Sequence, residues 1–203
     1  MSIRTFVLFS FLFAASLAFA QSPQGMAPSQ GMGMAPQNMA MSRPTVGSQA
    51  PNFKLKTAEG EEVELAAMTK KGPVVLLMLR GFPGYQCPYC TAQVGEFMGR
   101  IKDFQAAGSN IIAVYPGPAE GLAEHAQDFV RGKTVPANFY LVLDPDYSFT
   151  NLYGLRWDAP KETAYPSTFL IDRAGTVRFT KFSSTHGDRA GADTVLQMLH
   201  GLK

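Results

Sequence analysis

From about Val46 onward the apolar positions of this chain form short continuous runs and helical stripes that alternate with polar turns. Val74 to Leu79 contains no polar residue and is bounded by Gly72-Pro73 and Arg80-Gly81, the pattern of a central strand covered on both faces. Val94, Phe97, Met98, Ile101 and Phe104 then recur at helical spacing with Gly108 as a stop, which predicts one long helix. Ile111 to Tyr115 reads as a second buried strand ended by Pro116-Gly117-Pro118, Ala119 to Arg131 as a helix, and Phe139 to Leu143 as a third strand. Thr168 to Ile171 and Val177 to Phe182 flank the turn Asp172-Arg173-Ala174-Gly175 and predict a hairpin. Asp193 to Leu202 closes the chain as a short helix with Val195, Leu196, Met198 and Leu199 turned inward. Alternating strands and helices, then a hairpin and a helix, predict a three-layer α/β domain with a mixed central sheet flanked by helices.

The stretches ahead of that domain carry no such periodicity. Arg4, the apolar run Phe6 to Phe19 and the small residues Ala18 and Ala20 read as a signal peptide over residues 1–20, which predicts a periplasmic or otherwise exported protein. No later segment approaches ~20 apolar residues, so no stable membrane span is expected once the leader is removed. Residues 21–45 are expected to be a disordered linker rich in Met, Gln, Pro and Gly, since nothing there supplies an apolar face to offset ordering entropy. Its thioethers at Met26, Met32, Met34, Met39 and Met41 suit Cu(I), against the simpler reading of a tether that absorbs oxidant. Residues 46–203 suffice for one domain with a real core. The net charge of +2 supplies no basic field for nucleic acid.

The two cysteines of the chain stand together in Cys87-Pro88-Tyr89-Cys90, where the first buried strand gives way to the long helix. As a staple the pair would close so short a loop that chain entropy yields only about 2 kcal/mol. Structural zinc needs four ligands, and beyond the pair there are only His125, His186 and His200, scattered along the chain, so no metal or other cofactor is expected. Pro88 suits the first helical position, which makes Cys87 the cap and puts Cys90 one turn in. A helix dipole contributing up to ~2 kcal/mol lowers a thiol by roughly 1.5 pH units from about 8.5, toward neutrality. The thiolate is the attacking form, and the second thiol is within reach to resolve a mixed disulfide.

These residues resemble the thioredoxin superfamily, and within it the redoxin branch of alkyl hydroperoxide reductases and thiol-specific antioxidants, the peroxiredoxins. The likeness runs from about Val46 to Lys203. It rests on Val46-Gly47-Ser48-Gln49-Ala50-Pro51-Asn52-Phe53, the strand leading to Arg80-Gly81, the CPYC helix start, and Tyr165-Pro166-Ser167-Thr168-Phe169-Leu170-Ile171-Asp172 followed by Gly175. The resemblance implies a thioredoxin-like fold and a thiol-dependent oxidoreductase with a redox-active disulfide. Its implied partners are a thiol or disulfide protein, a low-molecular-weight thiol, or a hydroperoxide. It also leaves two assignments of the cysteines open. In the peroxiredoxin frame P-x-x-x-T-x-x-C, Pro83 and Cys90 fall in place and Cys87 takes the threonine slot, so Cys90 attacks. In thioredoxin-like reductases the first cysteine, Cys87, attacks and Cys90 resolves.

Pro166 stands where such peroxiredoxins carry an arginine and resembles the cis-proline that faces the cysteine pair in thioredoxins. Arg80 or Arg189 is then the candidate source of positive charge, and Tyr89 a surface aromatic that docks partners. The carboxylate that thioredoxins bury near the pair has no counterpart between Val74 and Gln86. The leading expectation is an exported thiol-disulfide oxidoreductase; the alternatives are a peroxiredoxin-like thiol peroxidase and a copper carrier.

Overall fold

Strand β3 (Val74–Met78) is the centre of the domain, buried along its whole length. The structure is a computed structural model and describes residues 42–202. The expected signal peptide and all but the end of the expected linker lie outside them. Everything below lies in the unit Asn38–Lys203. Its elements in order are β1 (Lys54–Thr57), β2 (Glu62–Glu64), α1 (Leu65–Lys71), β3, α2 (Pro88–Gly99), α3 (Ile101–Ala106), β4 (Asn110–Gly117), α4 (Leu122–Val130), β5 (Phe139–Pro145), α5 (Ser148–Leu152), β6 (Ser167–Ile171), β7 (Val177–Phe182) and α6 (Ala192–His200).

The seven strands form one sheet in the order β2-β1-β5-β4-β3-β6-β7. β3, β4 and β5 are mutually parallel, whereas β6 runs antiparallel to β3 with Ser167 opposite Met78. Alternation along β3 feeds two cores. Val75, Leu77 and Leu79 join Val94 and Phe97 of α2, Phe129 of α4 and Val195 of α6 on one face. Val74, Leu76 and Met78 join Met68 of α1 and Phe149 of α5 on the other. This is the expected three-layer, thioredoxin-like arrangement, and the run of apolar residues in β3 is explained by helices on both faces.

Several local expectations differ from the fold. The long helix breaks at Arg100 (φ −105°, ψ 15°), right after Gly99, a residue that tolerates a bend, so α2 and α3 are separate. Strand β4 runs through Pro116 and Gly117 instead of ending at Tyr115, pairing them with Asp144 and Pro145 of β5. The Pro116 carbonyl faces the β3 side, where it accepts the Phe82 amide. Its missing N–H falls on that same side, beyond the end of β3, and costs no ladder bond. Met198 is 44% exposed, not turned inward. The short strands β1 and β2, of which β2 is the sheet edge, and the short helices α1 and α5 have no counterpart in the sequence reading.

Candidate active site

The loop between β3 and α2 positions the cysteines. Leu79 donates its amide to Val114 at 3.0 Å. Gly81 then turns the chain at φ +65°, where a Cβ would collide with the Pro116 carbonyl. Gln86 fastens the far end of the loop. Its Nε2 donates to the His125 carbonyl at 2.7 Å and its Oε1 accepts the Tyr115 hydroxyl at 2.8 Å. Cys87 follows as the cap of α2 in extended conformation, with Pro88 first in the helix and the Cys87 carbonyl accepting the Thr91 amide at 3.1 Å. The predicted local arrangement of cap, proline and second cysteine is present.

Both residues carry free thiols. The Cys87 thiol is lowered to about 5, above all because the Cys90 thiol hydrogen-bonds to it. Burial opposes that shift, while the Cys90 amide, the Arg189 charge and the Tyr89 amide add to it. Cys90 moves the other way, because burial and the adjacent Cys87 sulfur both penalise its anion. The pair therefore carries one negative charge at neutral pH, seated on Cys87 with Cys90 as its proton-bearing partner. Both residues are buried, with relative exposure of 1% for Cys87 and 0% for Cys90.

Two donors reach the Cys90 sulfur. The Arg80 amide lies 3.2 Å from it and Arg189 Nη2 3.4 Å. Arg189 is held by Gln93 Oε1 at 2.8 Å and by the His186 carbonyl at 2.7 Å. The Arg80 guanidinium is engaged elsewhere: Nε meets Glu162 Oε2 at 2.7 Å, and its other nitrogens reach the Tyr85 hydroxyl and the Lys161 carbonyl. Of the two arginines named from sequence, Arg189 brings its charge to the pair, and Arg80 brings only its main chain.

Pro166 directly precedes β6, and its carbonyl accepts the Ser183 amide at 2.9 Å. No peptide bond among the described residues is cis, so the likeness of Pro166 to the cis-proline of thioredoxins stops at its position. Tyr89 is 52% exposed, its ring centroid 6.4 Å from that of His186. Glu162 escaped the sequence reading, and His186 entered it only as one of three scattered histidines. Glu162, half-buried, pairs with both Arg80 and His186 Nε2, the latter at 3.0 Å, and does not itself reach either sulfur. These residues are 82 and 24 positions away from it, and no local pattern joins them. Among the described residues no three His, Cys, Asp or Glu side chains cluster as metal ligands, and the methionines of the copper reading lie outside those residues. A cleft of about 620 Å³ borders the loop ahead of Cys87, lined in part by Phe82, Pro83, Gly84, His125, Tyr147 and Lys161.

Comparison with known proteins agrees with this geometry. Residues 46–180 match the AhpC/TSA family. A Mycobacterium tuberculosis protein carrying the name peroxiredoxin is 28% identical over 146 residues, 70% of this chain and 87% of that one. The thiol-disulfide oxidoreductase ResA of Bacillus subtilis is 31% identical over 131 residues, 64% of each chain. Among solved structures, peroxidoxin BcpB from Mycobacterium tuberculosis superimposes with a TM-score of 0.64 at 22% identity, covering 79% of this chain and 99% of that one. That last likeness speaks for the fold.

Proposed function

Because this chain belongs to the AhpC/TSA family and is a thiol-dependent redox enzyme built on a cysteine pair, we propose that it reduces hydroperoxides, with Cys87 as the attacking sulfur and Cys90 as the resolving one. The observation that carries the reading is the acidic thiol at the cap of α2, lowered to about 5 with its hydrogen-bond donor Cys90 one turn along. The Cys87 thiolate attacks one peroxide oxygen, the O–O bond breaks, and the leaving alkoxide or hydroxide takes a proton from solvent. Cys87 is left as a sulfenic acid, which the Cys90 thiol attacks; an S–S bond forms and water leaves. An external thiol returns the disulfide to the dithiol by exchange.

Hydroperoxide reduction takes precedence over the protein disulfide exchange put first by the sequence on two grounds. Relatives named peroxiredoxin recur among the matches. In addition, a sulfur with 1% exposure admits a small peroxide far more readily than the disulfide of a folded protein. The second reading, thiol-disulfide exchange with a partner protein, draws support from the likeness to ResA and from the first cysteine of the pair being the acidic one. An exported location is part of the proposal and rests on the leader-like residues 1–20.

Stopped-flow mixing of the reduced full chain with hydrogen peroxide tests it. Two thiols should be lost per molecule, far faster than from free cysteine, and Cys87→Ser should abolish the reaction. Thiol loss no faster than free cysteine would exclude the peroxidase and leave disulfide exchange.

A further inference from the structure

The contacts around Cys90 close into a ring. From the sulfur, the path enters the Arg80 amide at 3.2 Å and leaves by the Arg80 side chain to Glu162 at 2.7 Å. Glu162 takes His186 Nε2 at 3.0 Å; the His186 carbonyl takes Arg189 Nε at 2.7 Å; Arg189 Nη2 returns to the sulfur at 3.4 Å. The ring crosses three separate parts of the chain: the end of β3, the loop before β6 that carries Glu162, and the loop after β7 that carries His186 and Arg189. Nothing in the chemistry assigned to the two sulfurs uses Glu162 or His186.

We propose that Glu162 and His186 are positioning residues which hold the loop after β7 so that the Arg189 guanidinium stays on the Cys90 sulfur. The argument is geometric. Arg80 is 2% exposed and its side chain is fixed by three partners, so Glu162 is a rigid anchor. The loop carrying Arg189 has no regular structure of its own between Ser183 and Gly191. Within the loop, the Ser183 hydroxyl donates to the Asp188 carbonyl and the Asp188 amide to Thr185 Oγ1 at 3.2 Å. To the rest of the domain, Asp188 pairs with Lys181 at 2.6 Å, Arg189 binds Gln93 Oε1 at 2.8 Å, and Gln93 Nε2 donates to the Ala190 carbonyl at 3.3 Å. Among the described residues, His186 is the one side chain that ties the loop to the Arg80 anchor, through Glu162. The His186 ring also lies 5.3 Å from the Trp157 ring and 6.4 Å from that of Tyr89, which leaves Glu162 as its charged neighbour. The Arg189 charge favours the anion on both sulfurs, so a displaced guanidinium is felt by the whole pair. Tyr115 faces the pair from β4, with its hydroxyl donated to Gln86 and its own ionisation pushed up by burial.

This rests on the dithiol reading of the pair but not on the identity of the oxidant, so the test uses no substrate. Thiolate absorbance near 240 nm is followed against pH for the reduced full chain and for Arg189→Gln, His186→Ala, His186→Gln, Glu162→Gln and the double variant His186→Ala with Arg189→Gln. Arg189→Gln should raise the lower titration midpoint by about one pH unit, the usual effect of removing one nearby opposite charge. His186→Ala should raise it by about half that or more, and His186→Gln, whose amide can still donate to Glu162, should restore most of it. The double variant should titrate like Arg189→Gln alone, because His186 acts through Arg189. Glu162→Gln provides a second route into the ring should His186→Ala unfold. An unmoved midpoint in His186→Ala, no restoration by His186→Gln, or additive shifts in the double variant would each overturn the proposal. Loss of peroxide reactivity with these shifts intact would strike the peroxidase reading and spare this one.

Discussion

Replacing Cys90 by alanine removes the largest single influence on Cys87, the hydrogen bond from the Cys90 thiol. A hydrogen bond to a charged group contributes about 1.5–3 kcal/mol, which at about 1.4 kcal/mol per pH unit is about 1–2 units. The Cys87 midpoint should therefore climb from about 5 to roughly 6–7. Cys90→Ser keeps a donor at that position and should stay closer to the native value. The helix dipole alone, acting on a thiol near 8.5, would give a native midpoint of roughly 7. The native titration thus separates a helix-only origin from one that includes the neighbouring thiol. Absorbance at 240 nm between pH 4 and 10, on reduced proteins checked for folding by circular dichroism, reads it directly. A native midpoint near 7 to 8, or one left unchanged by Cys90→Ala, would refute the reasoning.

A second expectation concerns potential: an acidic thiol stabilises the reduced form, and interpolation between a thiol of about 7 at about −270 mV and one of about 3.5 at about −120 mV gives roughly −185 mV. Equilibration with glutathione buffers, read by the fluorescence of Trp157, checks it; a value near −270 mV would contradict the acidic Cys87. Stability should depend on pH differently in the two redox forms. The Cys87 midpoint is lower in the folded than in the unfolded chain, so its stabilisation is complete above about pH 8.5 and lost as pH falls through about 5. Between pH 7 and 4 the reduced protein should lose up to about 3 kcal/mol beyond the disulfide form in urea titrations, and parallel profiles would argue against it. Gly81→Ala should destabilise strongly, by more than about 2 kcal/mol, since it combines φ +65° with a collision against the Pro116 carbonyl. A change under about 0.5 kcal/mol in thermal melts would mean that the turn relaxes freely.

The legible parts of this protein are those whose cause is local. Val74 to Leu79 declared a doubly covered strand by composition alone, and Pro88 declared where α2 begins. The parts that were not legible depend on partners far along the chain. Strands β1 and β2 are only four and three residues long and gain their order by pairing with each other and, for β1, with β5. Pro116 reads as a strand breaker until the end of β3 leaves its amide side free of any ladder bond. At the site the same division holds. The cap and the second thiol follow from four consecutive residues, but Glu162, His186 and Arg189 meet the pair only through the fold, with Arg189 lying 99 positions from Cys90. The burial of Cys87 is likewise tertiary: a helix cap is ordinarily wet, and here Cys87 belongs to the core cluster that holds Leu79, Tyr115 and Leu122, with Phe82 packed against it.

The central claim is that the first sulfur to take an oxygen is Cys87. Reduced protein exposed to less than one equivalent of hydrogen peroxide in the presence of a sulfenic-acid trap, then digested and sequenced by mass spectrometry, locates it directly. The Cys90→Ser variant, in which the resolving step is blocked, should carry the trap on residue 87. A trap found on Cys90 in the Cys87→Ser variant, with Cys90→Ser inert, would contradict the account and reverse the two roles.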